Sequence, residues 1–137
     1  MVREIVRDDA FLSKESVPAM RDDTQIATDL LDTLMAHRDR CVGMAANMIG
    51  ELKRIIVVSA GDNCIIMYNP EIVKHSAKCY DAKEGCLCRD VETPCRRYET
   101  IDVKYRDMNF GKRREKFSGF IVQIIQHEID HCDGIIV

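Results

Sequence analysis

The stretch that most constrains the fold is Ser118 to Cys132, SGFIVQIIQHEIDHC, close to the end of the chain. Phe120, Ile121, Val122, Ile124, Ile125, Ile129 and Cys132 put apolar side chains on nearly every face of a helix. A helix apolar all round is buried on all sides. Ser118 is placed to cap its N-terminus, and Gly134 suits the left-handed residue just past its end. Into this apolar surface the sequence sets His127, Glu128 and His131. The two histidines, four residues apart, stack on one face. Glu128 falls roughly 100° from His127 and roughly 60° from His131, so all three groups share one sector. Burying two imidazoles and a carboxylate without partners costs several kcal/mol. A divalent cation bonded to both imidazoles removes that cost and leaves Glu128 free to deprotonate a water. The plain alternative is a pair of hydrogen-bonded or surface histidines. The five-residue pattern on a buried helix favours the cation.

Only six residues follow His131, so a third protein ligand must come from upstream. Cys64 and Cys79 lie in strand-like stretches where a small buried side chain suffices, and Cys95 beside Pro94 is uninformative. Cys86 and Cys88 stand out in Glu84-Gly85-Cys86-Leu87-Cys88, where Gly85 permits unusual backbone angles or a close approach. In an extended stretch the two cysteines point the same way, so spacing does not choose between them.

The remaining chain reads as α+β, with strands wrapped around that C-terminal helix and one earlier helix outside. Asp22 to Arg38 is that helix, capped by Asp22-Asp23-Thr24, with Ile26, Ala27, Leu30, Leu31, Leu34 and Met35 as its apolar stripe. Cys41 to Gly50 is too glycine-bounded and small for plain helix. RIIVVSA, the turn GDN and CIIMYNP form a β-hairpin. EIVKHSAKCY is a third extended segment. ETIDVKYRD and KRREKF make a second hairpin across Met108 to Gly111, with the basic run Gly111 to Lys116 as its solvated face.

At 137 residues the chain is expected to be one domain, 1–137. A net charge of -3 argues against a nucleic-acid surface, and no apolar run reaches membrane-spanning length. The N-terminus has no signal-peptide core, and seven cysteines, an odd number, suit a reducing compartment. A cytoplasmic protein is expected.

Three segments together resemble the peptide deformylases, whose patterns are G-x-G-x-A-A-x-Q-x-G, E-G-C-L-S and Q-H-E-x-D-H. They appear here as Cys41-Val42-Gly43-Met44-Ala45-Ala46-Asn47-Met48-Ile49-Gly50, Glu84-Gly85-Cys86-Leu87-Cys88 and Gln126-His127-Glu128-Ile129-Asp130-His131. Tyr68-Asn69-Pro70-Glu71-Ile72 matches a further family stretch, so the resemblance spans almost the whole chain. It implies that Cys86, His127 and His131 bind one divalent metal, ferrous iron in the native family enzymes, with zinc or nickel able to substitute. Glu128 is then the general base, and the backbone N–H of Leu87 an oxyanion donor. Gly43, Met44, Met48, Glu84, Gly85, Gln123 and Ile124 are implied to line the substrate pocket. The implied reaction is hydrolysis of the N-formyl group from the first methionine of new polypeptides, so the implied partner is an N-formyl peptide.

This sequence also departs from the pattern. Met48 stands where the family has the glutamine that donates to the developing oxyanion, and methionine has no donor. Losing one such donor costs on the order of 10²–10³ in turnover, so reduced activity is expected. The alternative is a metal-binding relative without significant deformylase activity, in a binding or regulatory role. Asn47 and Gln123 are the nearby amides that could substitute. Gln123 is expected either to enter the pocket or to bond a neighbouring strand. Cys41 replaces the first motif glycine, Cys88 replaces a serine, and Arg97 matches a family arginine near the cleft. The chain stops at Val137, short of the tail through which some relatives contact the ribosome, so docking by such a tail is not expected.

Overall fold

The computed structural model describes residues 1–137 and is organised around strand β2, Ile55–Ala60. Ile55, Ile56, Val57 and Val58 are all buried. Successive side chains of a strand point to opposite faces. Ile55 and Val57 therefore join one core with Ala27, Leu30 and Leu34 of helix α2, Thr24–Ala36. Ile56 and Val58 join the other with Val122, Ile125 and Ile129 of helix α3, Phe120–Cys132. Covered on both faces, β2 shows an unbroken apolar run rather than alternation.

Five antiparallel strands lie in the order β1-β2-β3-β6-β7, with β1 at Gly43–Ala45, β3 at Asn63–His75, β6 at Thr100–Arg106 and β7 at Lys112–Ser118. Strands β4, Cys79–Cys86, and β5, Arg89–Tyr98, form a separate antiparallel ribbon. The expected α+β class with α3 at its centre is what the chain adopts, and both expected hairpins form, β2–β3 and β6–β7. In β7 only Phe117 is buried, so the basic run does face solvent. No helix is long and apolar enough to cross a membrane.

Several local expectations are corrected. Glu71 to His75 continue β3, whereas Cys79 and Tyr80 open β4, so EIVKHSAKCY is not one segment. The strand changes register between Tyr68 and Glu71, where Asn69 takes a left-handed φ of 54°. There its side chain accepts from Ala19 N at 2.7 Å and donates to Ala19 O at 3.0 Å, fastening the N-terminal segment to the sheet. Ser118 ends β7 and caps nothing. Gly119, at φ 83°, makes the turn into α3, a conformation that a side chain disfavours. Asp23 precedes α2 without a side-chain cap bond, because its carboxylate accepts from Met20 N at 2.7 Å. That helix stops at Ala36 rather than Arg38. A second early helix, α1 at Asp9–Leu12, spans four residues, too few to show a period. Gly134 does adopt the left-handed conformation past α3, at φ 74°, and Ile135 N closes onto Asp130 O at 2.9 Å.

Candidate active site

Helix α3 carries the centre of the site on the face it turns toward β1 and the β4–β5 ribbon. His127 and His131 are 7% and 1% exposed, and their Nε2 atoms lie 3.1 Å apart. At that separation the two nitrogens must share either a proton, as an N–H···N hydrogen bond, or a cation. Cys86, at the end of β4, brings its Sγ to 3.4 Å from His131 Nε2. Sequence spacing left Cys86 and Cys88 equal, and the structure brings both sulfurs here, 3.2 Å from one another. Cys86 lines the adjoining cleft, while Cys88 is 2% exposed behind it.

The electrostatics favour a cation. Burial alone would push His127 down, but the Cys86 sulfur and the Glu84 carboxylate outweigh it and hold the imidazole up at about 10. Its contact with the Cys88 sulfur and burial push the Cys86 thiol up to about 11, so ionising it requires a strong positive neighbour. Glu128 is 3% exposed, its Oε1 has no hydrogen-bond partner, and burial pushes it up to about 7. Ligand atoms of His127, Glu128 and His131 all lie within 4.8 Å of one another. Two imidazoles, a thiol and an orphaned carboxylate fit a divalent cation of borderline softness.

Behind this group stands a buried ion-pair network. His127 Nδ1 is 2.8 Å from Glu84 Oε1, which fixes the ring so that Nε2 faces His131. Glu84 accepts two bonds from Arg97, from Nε at 2.8 Å and Nη2 at 2.5 Å. Arg97 Nη1 donates to Asp130 Oδ2 at 2.6 Å, returning the network to α3. Arg97 holds Glu84 down at about 2 in spite of burial. In front lies a cleft of about 480 Å³ bounded by Cys41 to Gly43, Lys83 to Leu87, and Phe120, Gln123, Ile124, His127 and Glu128, with Arg40 at its edge. Gly43 is needed there: a Cβ would lie 2.5 Å from Ile124 Cγ2 and 2.8 Å from Glu128 Oε2.

The polypeptide deformylase family model matches residues 2–137. The chain belongs to that family. It is 47% identical to a peptide deformylase of Clostridium beijerinckii over 137 residues, covering all of both chains. Among solved structures it is similar to a Met-Ala-Ser-bound class I type b peptide deformylase from Acinetobacter baumannii, with a TM-score of 0.90 and 27% identity. That match covers 99% of this chain and 97% of the other. A peptide deformylase from Thermotoga maritima gives a TM-score of 0.87 at 27% identity, covering 99% and 94%.

Against the deformylase pattern, each candidate residue has a definite place. Gly43, Glu84, Gly85, Cys86, Leu87, Gln123, Ile124, His127 and Glu128 border the cleft, and His131 lies behind them. Gly85 takes no left-handed angle but marks the β4 bulge between Glu84 and Cys86. Met44, expected at the pocket, faces the α2 core at 0% exposure, because alternation along β1 sends Gly43 to the cleft and Met44 away. Met48 is likewise 0% exposed, with Sδ 3.8 Å from Cys86 Sγ. Asn47 does not replace it as a donor, since its amide donates to His131 O at 3.0 Å. Gln123 does both things expected of it in the alternative: it borders the cleft, and its Oε1 accepts from Tyr80 of β4 at 3.3 Å. The sequence reading missed Arg40, Cys41, Val42, Lys83 and Phe120 as cleft residues. It also underrated Arg97, whose signal was an arginine in a strand facing buried acids. The Cys41 thiol donates to Gly43 O at 2.9 Å, and burial pushes it up to about 12.

Proposed function

We propose that this chain is a metal-dependent hydrolase that removes the formyl group from the N-terminal formyl-methionine of new polypeptides. The observation that carries the reading is the meeting of Cys86 Sγ, His127 and His131 beside the unpartnered Glu128 carboxylate at one wall of the cleft. Cys86, His127 and His131 would hold one divalent ion, ferrous iron, zinc or nickel, which supplies Lewis acidity to the water and the formyl carbonyl. Glu128 takes the proton of the attacking water and hands it to the departing amine. Its place suits it to both steps, since Glu128 is buried beside the two histidines with Oε1 free of any other hydrogen bond. Leu87 N–H has no hydrogen-bond acceptor within the protein and borders the cleft, where it donates to the oxygen that gains charge. Ile124 and Phe120 give the cleft an apolar wall for a methionine side chain. The Met-Ala-Ser ligand of the Acinetobacter relative supports a peptide beginning with methionine.

One observation favours a second reading, a metal-binding relative with little turnover. Met48 fills a donor position with a buried thioether. Metal per chain and formate release from a formyl-Met dipeptide, after anaerobic loading with ferrous iron, separate the two. The hydrolase releases formate, and Glu128→Gln lowers the rate by roughly 10²–10⁴ with metal retained. Metal bound without formate supports the second reading. Neither metal nor formate overturns both.

A further inference from the structure

Cys88 is a buried thiol at the site for which the proposed reaction has no use. Leu87 and Cys88 form the turn between β4 and β5, and the Cys86–Arg89 pairing folds Cys88 back onto Cys86. The result is an Sγ–Sγ separation of 3.2 Å, with Cys86 Sγ itself 3.4 Å from His131 Nε2. Ligand atoms of Cys86, Cys88 and His131 all lie within 4.8 Å of one another. Two thiolates on one tetrahedral cation, with bonds of about 2.3 Å, sit about 3.8 Å apart, so a small relaxation of the present contact suffices. The Met48 thioether, 3.8 Å from Cys86 Sγ, places a third sulfur on this side of the site.

We propose that Cys88 is a second thiolate ligand to the ion held by Cys86, His127 and His131. The proposal rests on the metal site of the preceding section and adds a residue to it. With two sulfurs and two imidazoles the protein fills a tetrahedral shell and leaves no open position. Such a site would be selective for thiophilic ions, and water and the formyl group would reach the ion only after Cys88 Sγ leaves it and takes up a proton. Both thiols lose their protons on ligation, so loading releases one more proton per ion than a single-cysteine site does. The competing role for Cys88 is donation of its S–H to the Cys86 sulfur, and a serine hydroxyl preserves that role.

The experiment is anaerobic loading of the full chain with cobalt(II), recording sulfur-to-cobalt charge-transfer absorption per bound cobalt. The parent is expected to absorb about twice as strongly as Cys88→Ser, one thiolate having been lost. Equal intensities overturn the proposal and leave the three-ligand site standing. Zinc X-ray absorption on the unaltered protein supplies a second measurement that needs no variant to fold. Two sulfur neighbours support the proposal and one overturns it. If the parent binds neither cobalt nor zinc, the metal reading itself fails and this inference falls with it.

Discussion

Methionine at position 48 is where this chain parts most sharply from the chemistry its family pattern implies. The side chain is fully buried, touches the Cys86 sulfur and offers no N–H to a developing oxyanion. In the proposed mechanism that charge would be left to Leu87 N–H and the metal. Glutamine has nearly the length of methionine and a somewhat smaller volume, so Met48→Gln returns a donor to this position with little repacking. Formate release should rise by roughly 10²–10³, the usual worth of one oxyanion donor. No gain would mean that Leu87 N–H and the metal site already carry the charge. This departure was legible in the sequence because the motif fixes the position. The companion amide was less so: Gln123 faces the cleft, yet its oxygen is already engaged by Tyr80, a strand contact that spacing along α3 does not disclose.

At the scale of elements, one contact fixes how α3 meets the sheet and another ties the N-terminal residues to α2. Strand β1 passes so close to α3 that only glycine fits at position 43. Gly43→Ala should cost about 1–3 kcal/mol through overpacking, read as a lowered urea midpoint, and should reduce formate release by displacing Glu128. On the other face, Asp29 of α2 is 2% exposed and gathers the Met1 amino group at 2.9 Å and Arg3 at 2.8 Å. The Met1 amine, Arg3 and Gln25 together hold its carboxyl down at about 2. A carboxyl depressed in the folded state stabilises the protein above its unfolded value of 3.8, and that contribution fades as pH falls toward about 2. Asp29→Asn should therefore lower the melting temperature at neutral pH, and the gap to the parent should close in acid. The apolar periodicity of α2 and α3 was readable because each packs along its length. The cap positions were not. Asp23 spends its carboxylate on Met20 and Lys53, and Gly119 turns the chain into α3 by backbone conformation alone.

Across the whole molecule, the β4–β5 ribbon shares no ladder with the main sheet, yet it delivers Cys86 to α3. Its sequence, KEGCLCRDVETPCRRY, lacks clean alternation, so reading the chain identified Cys86 and missed the strand that returns from it. Long-range polar contacts dock the ribbon instead. Gln126 of α3 accepts from Tyr98 N at 2.9 Å and donates to Tyr98 O at 3.0 Å. Arg97, 5% exposed, joins Glu84 of β4 to Asp130 of α3. Removing this guanidinium leaves Glu84 buried with only His127 for a partner, and breaking a buried pair from one side costs about 3–5 kcal/mol. The loss also reaches the site, because Glu84 orients His127. Supports of that kind change metal affinity by about 10–100-fold. Arg97→Ala should thus lower the melting temperature and weaken zinc retention together, measured by thermal denaturation and chelator competition on one preparation. Arg97→Ala combined with Glu84→Gln removes the stranded charge, so stability should recover in part. Metal retention should stay weak, because an amide holds the His127 ring less firmly than a carboxylate does. If stability and metal retention recovered together, Arg97 would be holding the ribbon in place without tuning the histidine.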